Sequence, residues 1–216
     1  FRRVLFRSKR FPGGPGHKDR GIEKKQEELR MTEKEKAALG MLYNANYDTD
    51  LKEERLDCQE LCAEYNRLMP KELEKRTELM KRILGKTEGE FMVEQPFFCD
   101  YGYNIEVGER CFLNYHCTIL DGAKVTFGHD VFVAPNCSFY TAGHPFDIEQ
   151  RNEGLEYAYP IHIGNNVWIG GNVTVLPGVT IGDGTVVAAG SVVTKDLPAG
   201  VLAAGNPCRI IRNLSE

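Results

Sequence analysis

The sequence predicts a mainly β protein, a chain wound into a triangular coil of short strands behind an N-terminal α-helical cap. Three observations carry this. Aliphatic residues recur every six positions over a long stretch, small residues hold a fixed slot within that repeat, and the segment ahead of it is spaced for helices instead. The 216 residues, 42% of them hydrophobic, are enough to bury such a core.

Residues 1–30 stand apart. They hold ten Lys/Arg against four Asp/Glu. Phe1 to Ser8 looks like translated adapter DNA, and the Pro/Gly stretch from Phe11 to Gly16 has no hydrophobic periodicity. This stretch is expected to be non-native or disordered, with Met31 as the natural start, and takes no part in the fold.

Residues 31–90 are expected to form the helical cap. Thr32 with Glu35 three residues on makes a capping box, and Leu39, Leu42 and Tyr43 follow at helical spacing. Asn44 to Asp50 is polar and turn-like. Leu51, Leu56, Leu61, Cys62, Tyr65 and Leu68 then fall on one stripe, which Pro70 ends, and Leu73, Leu79, Ile83 and Leu84 suggest a third, short helix. Cys58 and Cys62 share a helix face. A metal there would need further ligands at suitable spacing, and none is nearby in sequence, so they are read as small core residues.

Residues 91–216 are expected to form the coil. Ile163, Ile169, Val175, Ile181, Val187 and Val193 keep the six-residue frame without a miss. Four residues after each come Val167, Val173, Val179, Thr185, Ser191 and Leu197, and glycine directly follows three of the aliphatics, at Gly164, Gly170 and Gly182. Val107, Leu113, Ile119 and Val125 repeat the rule, with Cys111, Cys117 and Ala123 in the small slot. Phe127, Val133 and Phe139 continue it after a two-residue slip, with Val131 and Cys137. A period of six fits neither an α-helix nor hairpins. It fits three strands per coil, each aliphatic pointing inward and stacking on the one three repeats later, with glycine accepting the turn conformations at the corners.

Composition removes several functions. From residue 86 on, seven Lys/Arg face fifteen Asp/Glu, an acidic surface that suits nucleic acid poorly. No apolar run approaches the ~18 residues of a membrane span, and no secretory leader pattern is present. Seven cysteines at scattered spacings suit a reducing, cytoplasmic setting better than a disulfide framework.

The frame breaks once, between Phe139 and Pro160. This excursion holds Thr141-Ala142-Gly143-His144-Pro145, a histidine whose backbone is restrained by Gly and Pro. Long inserts in a regular scaffold are more often functional than decorative. The string is followed by Pro160-Ile161-His162-Ile163-Gly164-Asn165-Asn166-Val167-Trp168-Ile169-Gly170-Gly171, and the chain closes with Val193-Thr194-Lys195-Asp196 and Ala204-Gly205-Asn206-Pro207-Cys208-Arg209. With Leu42-Tyr43-Asn44-Ala45 and Asp100-Tyr101-Gly102-Tyr103-Asn104, these motifs resemble the hexapeptide-repeat sugar O-acetyltransferases, in the maltose and galactoside branch. The resemblance covers about Met31 to Leu214.

The resemblance implies a left-handed parallel β-helix that moves an acetyl group from acetyl-CoA directly to a sugar hydroxyl. His144 would be the general base, since imidazole titrates near neutrality. Glu156 or a backbone carbonyl would hold its other nitrogen. Asn114 would donate to the thioester oxygen or the acceptor hydroxyl. Asp100 and Asp121 would accept sugar hydroxyls, Tyr101 or Tyr103 would stack on the ring, and either Asn46 or Asp48 would reach the acceptor from the cap. Trp168 would line the pantetheine channel, Gly171 and Ala189 would lie along it, and Thr194, Lys195, Arg209 and Arg212 would meet the nucleotide. Lys195, Arg209 and Arg212 are three of the only seven cations from residue 86 on. The partners implied are acetyl-CoA, a small sugar and two further copies in a homotrimer, with each site between neighbours and no metal.

Three other readings are weaker. A carbonic anhydrase of the γ class needs three converging histidines, and His116, His129, His144 and His162 are spaced wrongly for it. A coil without activity would show a degraded site. An antibiotic or serine as acceptor sits poorly with a sugar-type cap.

Overall fold

The six-residue recurrence becomes three stacks of short parallel strands. A computed structural model describes residues 30–214; the expectation for residues 1–29 lies outside the described residues. One stack comprises Lys86–Thr87, Ile105–Val107, Val125–Phe127, Ile161–Ile163 and Thr180–Ile181. A second comprises Phe91–Val93, Cys111–Leu113, Phe132–Val133, Trp168–Ile169, Val186–Val187 and Val201–Ala204, closed by antiparallel Arg209–Asn213. The third comprises Phe97–Cys99, Cys117–Leu120, Ser138–Tyr140, Thr174–Val175 and Val192–Val193.

Register places the repeated aliphatics one above another. Val107, Phe127, Ile163 and Ile181 form one column; Leu113, Val133, Ile169 and Val187 a second; Ile119, Phe139, Val175 and Val193 a third. All are buried, and each contributes about 1.5–3 kcal/mol by leaving water. Except at Ala123, which is only partly buried, the small slot is buried too, from Cys111 and Cys117 through Thr185 and Ser191, because it lies where two strands meet at a corner.

The glycine expectation needs correction. The left-handed backbone at the corners belongs to the residue before the small slot: Arg110, His116, Asp130, Asn136, Asn166 and Asn172, then Gly178, Gly184 and Gly190. Gly164, Gly170 and Gly182 are required for space. A Cβ on Gly170 would lie 2.6 Å from the Ala189 nitrogen, and one on Gly182 2.4 Å from that of Ala199. Successive coils touch there through backbone alone.

The cap consists of α1 (Glu33–Ala38), α2 (Thr49–Tyr65) and α3 (Leu73–Ile83). Asp48 caps α2 by accepting from the Leu51 N–H at 2.9 Å. The buried stripe of α2 is Leu51, Cys58, Cys62 and Tyr65; Leu56, expected on it, is exposed. Leu39 likewise lies outside α1 and is exposed. Helices α2 and α3 cover the open end of the first coil. Asn66 accepts from the Phe97 N–H and donates to its carbonyl, both at 2.9 Å, and Arg76 pairs with Glu94 at 2.7 Å. No helix among the described residues is long and apolar enough to cross a membrane.

The excursion is ordered. Ala142–Gly143 pairs antiparallel with Tyr157–Ala158, and α4 (Ile148–Asn152), capped by Asp147, forms the tip of this arm. One corner of the coil therefore differs from the other two. Cys99 to Val107 and Ile119 to Phe127 each take two residues more than the usual six, and the arm leaves the same corner one coil later.

Candidate active site

The long turns, the arm and α2 enclose a cavity of about 420 Å³. Arg55 and Gln59 reach it from α2, Asp100 and Tyr101 from the first long turn, and Tyr140, His144 and Glu156 from the arm and its root. Each arrives there for a local reason. Gly143 lets the arm's two strands close, since a Cβ would lie 2.6 Å from the Tyr157 ring. Tyr43 and Glu156 exchange backbone hydrogen bonds at 3.0 and 2.9 Å, which pins the arm to the segment between α1 and α2.

His144 Nδ1 lies 2.9 Å from the Leu155 carbonyl oxygen. A carbonyl only accepts, so Nδ1 carries a hydrogen, and in the neutral ring Nε2 is the nitrogen with the lone pair. Of the two expected acceptors, the backbone carbonyl is the one found. Glu156 is on the other side, its Oε1 4.0 Å from Nε2. Its carboxylate also accepts from Asn46 Nδ2 at 3.3 Å and from the Tyr43 hydroxyl at 3.4 Å. Asn46 thus bonds a carboxylate that lines the cavity, whereas Asp48 caps α2.

Asp121 corrects the expectation of a sugar contact. It is fully buried, and its Oδ1 accepts the N–H groups of Asp100 and Tyr101 at 3.0 and 2.9 Å. It shapes the wall and does not face the cavity. Burial pushes its carboxyl up to about 6 against the pull of those N–H groups. Asp100 does line the cavity; burial raises it to about 6 as well, while the Arg55 charge opposes the rise. Tyr101 is buried with its ring 5.5 Å from that of Tyr103, and burial pushes its phenol up to about 12. Tyr103 is outside this cavity. Its hydroxyl donates to Glu54 at 2.7 Å, Lys34 lies over its ring, and it lines a second hollow of about 560 Å³ beneath α1. Tyr43, Tyr101 and Gly122 line both spaces.

Asn114 and Trp168 are brought together, but away from His144. With Phe112, Phe132, Val133 and Ala134 they line a separate hollow of about 470 Å³ on the second strand stack. Asn114 Oδ1 accepts from the Tyr115 N–H at 2.8 Å, leaving its Nδ2 as the donor. The other expected coenzyme residues are spread over the C-terminal coils. Gly171 and Ala189 occupy the same corner in successive coils, which are joined there by the Gly190 N–H to the Gly171 carbonyl at 2.8 Å. Thr194 and Lys195 follow the last strand of the third stack, and exposed Arg209 and Arg212 are on the closing antiparallel strand.

The sequence reading missed Tyr43, Arg55, Gln59 and Tyr140. Arg55 and Gln59 are four residues apart on α2, a polar pair on one face that a search for the apolar stripe passes over.

Comparison with known proteins agrees with the fold. The maltose acetyltransferase hexapeptide capping motif matches residues 36–89, and the bacterial transferase hexapeptide model, six repeats, matches residues 160–195. A maltose O-acetyltransferase from Clostridium difficile 630 is 49% identical with a TM-score of 0.84, covering 86% of this chain and 99% of that one. A galactoside acetyltransferase solved with coenzyme A is 43% identical with a TM-score of 0.83, covering 86% and 92%. A hexapeptide-repeat acetyltransferase from Vibrio cholerae, solved with acetyl coenzyme A, is 36% identical with a TM-score of 0.79, covering 86% and 100%.

Proposed function

The chain belongs to the hexapeptide-repeat acetyltransferases of the maltose and galactoside type, and from that membership we propose that it acetylates a sugar hydroxyl from acetyl-CoA with His144 as general base. The observation that carries this is the Nδ1 contact to the Leu155 carbonyl, which in the neutral ring fixes the tautomer with the lone pair on Nε2, beside a cavity of about 420 Å³ that Arg55, Asp100 and Glu156 also line.

In this reading the acceptor hydroxyl gives its proton to Nε2 as its oxygen attacks the thioester carbonyl carbon. The tetrahedral intermediate collapses, the carbon–sulfur bond breaks, and the imidazolium returns the proton to the leaving thiolate. Glu156, 4.0 Å from Nε2, stabilises the imidazolium while it exists. Asp100, Arg55 and Asn46 supply the acceptors and donors that sugar hydroxyls need. Asn114 donates to the developing oxyanion. Lys195, Arg209 and Arg212 hold the coenzyme phosphates, and Trp168 covers the pantetheine arm.

His144 and Asn114 line different hollows of one chain. That supports a homotrimer in which one copy supplies His144 and its neighbour Asn114 and Trp168. Seven unpaired cysteines support a reducing compartment, the cytoplasm.

The test is thiol release from acetyl-CoA with maltose, glucose, a galactoside and chloramphenicol as acceptors. Sugar-dependent release should fall about 10²–10⁴-fold in His144→Ala. A fully active variant removes His144 as base; release stimulated only by chloramphenicol removes the sugar.

A further inference from the structure

Three cysteines converge outside the acceptor cavity. Cys58 and Cys62, one turn apart on α2, face Cys99 at the end of the strand Phe97–Cys99. The Cys99 sulfur lies 3.5 Å from that of Cys58 and 3.7 Å from that of Cys62. All three sulfurs lie within 4.8 Å of one another, and the residues are 3–5% exposed. The ligand missing beside Cys58 and Cys62 in the sequence is supplied from the coil. Cys111 and Cys137 behave differently: each occupies the small slot and donates its S–H to a backbone carbonyl, of Gly128 and Gly170.

We propose that Cys58, Cys62 and Cys99 form a binding site for a soft divalent metal ion of the zinc class. Metal–sulfur bonds of about 2.3 Å place sulfurs about 3.8 Å apart around a tetrahedral ion, within a few tenths of an ångström of the two separations from Cys99. A set of sulfur ligands selects soft metals over magnesium or calcium. The site is preassembled, since helix spacing aims two sulfurs and a strand end holds the third. Binding the ion would release the thiol protons, and its charge would offset that of the buried thiolates it creates. Once bound, it ties α2 to the strand that runs directly into Asp100 and Tyr101.

The probes are cadmium(II), for its thiolate charge-transfer band, and zinc(II), for thermal stability, on the reduced, chelator-stripped full chain. The band should saturate at one ion per chain, and zinc should raise Tm, because binding favours the folded state. Cys99→Ala should weaken cadmium binding by about a hundredfold or more, and Cys137→Ala should leave it unchanged. Zinc should also shield Cys58, Cys62 and Cys99 of the unaltered chain from alkylation, a readout that holds even if a variant fails to fold. A folded chain without a saturable band overturns the proposal, as does a band that survives in folded Cys99→Ala. A disulfide joining Cys99 to Cys58 or Cys62 under these conditions overturns it in favour of a redox pair.

Discussion

Asp121 carries its charge where charge is disfavoured. Its native carboxyl titrates at about 6 because burial outweighs the two N–H groups it accepts. An unfolded aspartate titrates near 3.9. Between those values the folded chain still holds a proton that the unfolded chain has lost, so this residue makes stability fall as pH rises from about 4 to about 6, by on the order of 2 kcal/mol. Asp100 beside it shifts in the same direction, with Arg55 opposing and Glu156 reinforcing the rise. Surface carboxylates paired with cations, such as Glu54 and Asp130, act in the opposite sense, so the contribution is read as a difference. Urea unfolding of the unaltered chain and of Asp121→Asn, compared at pH 4 and pH 6.5, should show the stability gap shifting in favour of the variant at the higher pH. A gap independent of pH would mean that Asp121 is ionised in the fold at both. The role of Asp121 was not legible in the sequence: a carboxylate that binds hydroxyls and one that braces a turn are the same letter, and only its burial separates them.

Among the elements, the corners of the coil divide their work between two kinds of residue. Gly170 faces the Ala189 backbone, where nothing can yield, so Gly170→Ala should cost about 1–3 kcal/mol in chemical denaturation. Gly184 is in the left-handed region with open space around its missing Cβ, so Gly184→Ala should cost about 1–2 kcal/mol from backbone conformation alone, and Gly184→Asn clearly less. An equal cost for Ala and Asn at Gly184 would contradict the conformational account. The six-residue frame announced the strands, the stacking columns and the small slot, because each is a matter of side-chain size at a fixed spacing. It could not announce which glycines serve space and which serve conformation. It also missed the pairing of Ala142–Gly143 with Tyr157–Ala158, since a single pair of strands outside the coil has nothing to repeat. The cap's stripe was legible at Leu51, Cys62 and Tyr65 but not at Leu56, where a leucine faces water.

At the scale of the whole molecule, the separation of His144 from Asn114 has a direct test. Copies carrying His144→Ala and copies carrying Asn114→Ala should each be nearly inactive alone. Unfolded together in equal amounts and refolded, they should recover activity at about a quarter of the sites, those where an intact His144 meets an intact Asn114 across a subunit boundary. No recovery from a mixed, fully assembled sample would place both residues in one chain's site. The location of the longer turns has a different consequence. Length is added at only one of the three corners, and the strands above and below stay in register when it is. Elsewhere a single inserted residue would turn every later side chain to the wrong face. An inheritable change in chain length is therefore tolerated at the rim of the cavity that His144 lines and punished nearly everywhere else, which leaves in-frame insertion and deletion as an open route by which descendants of this sequence can reshape that cavity.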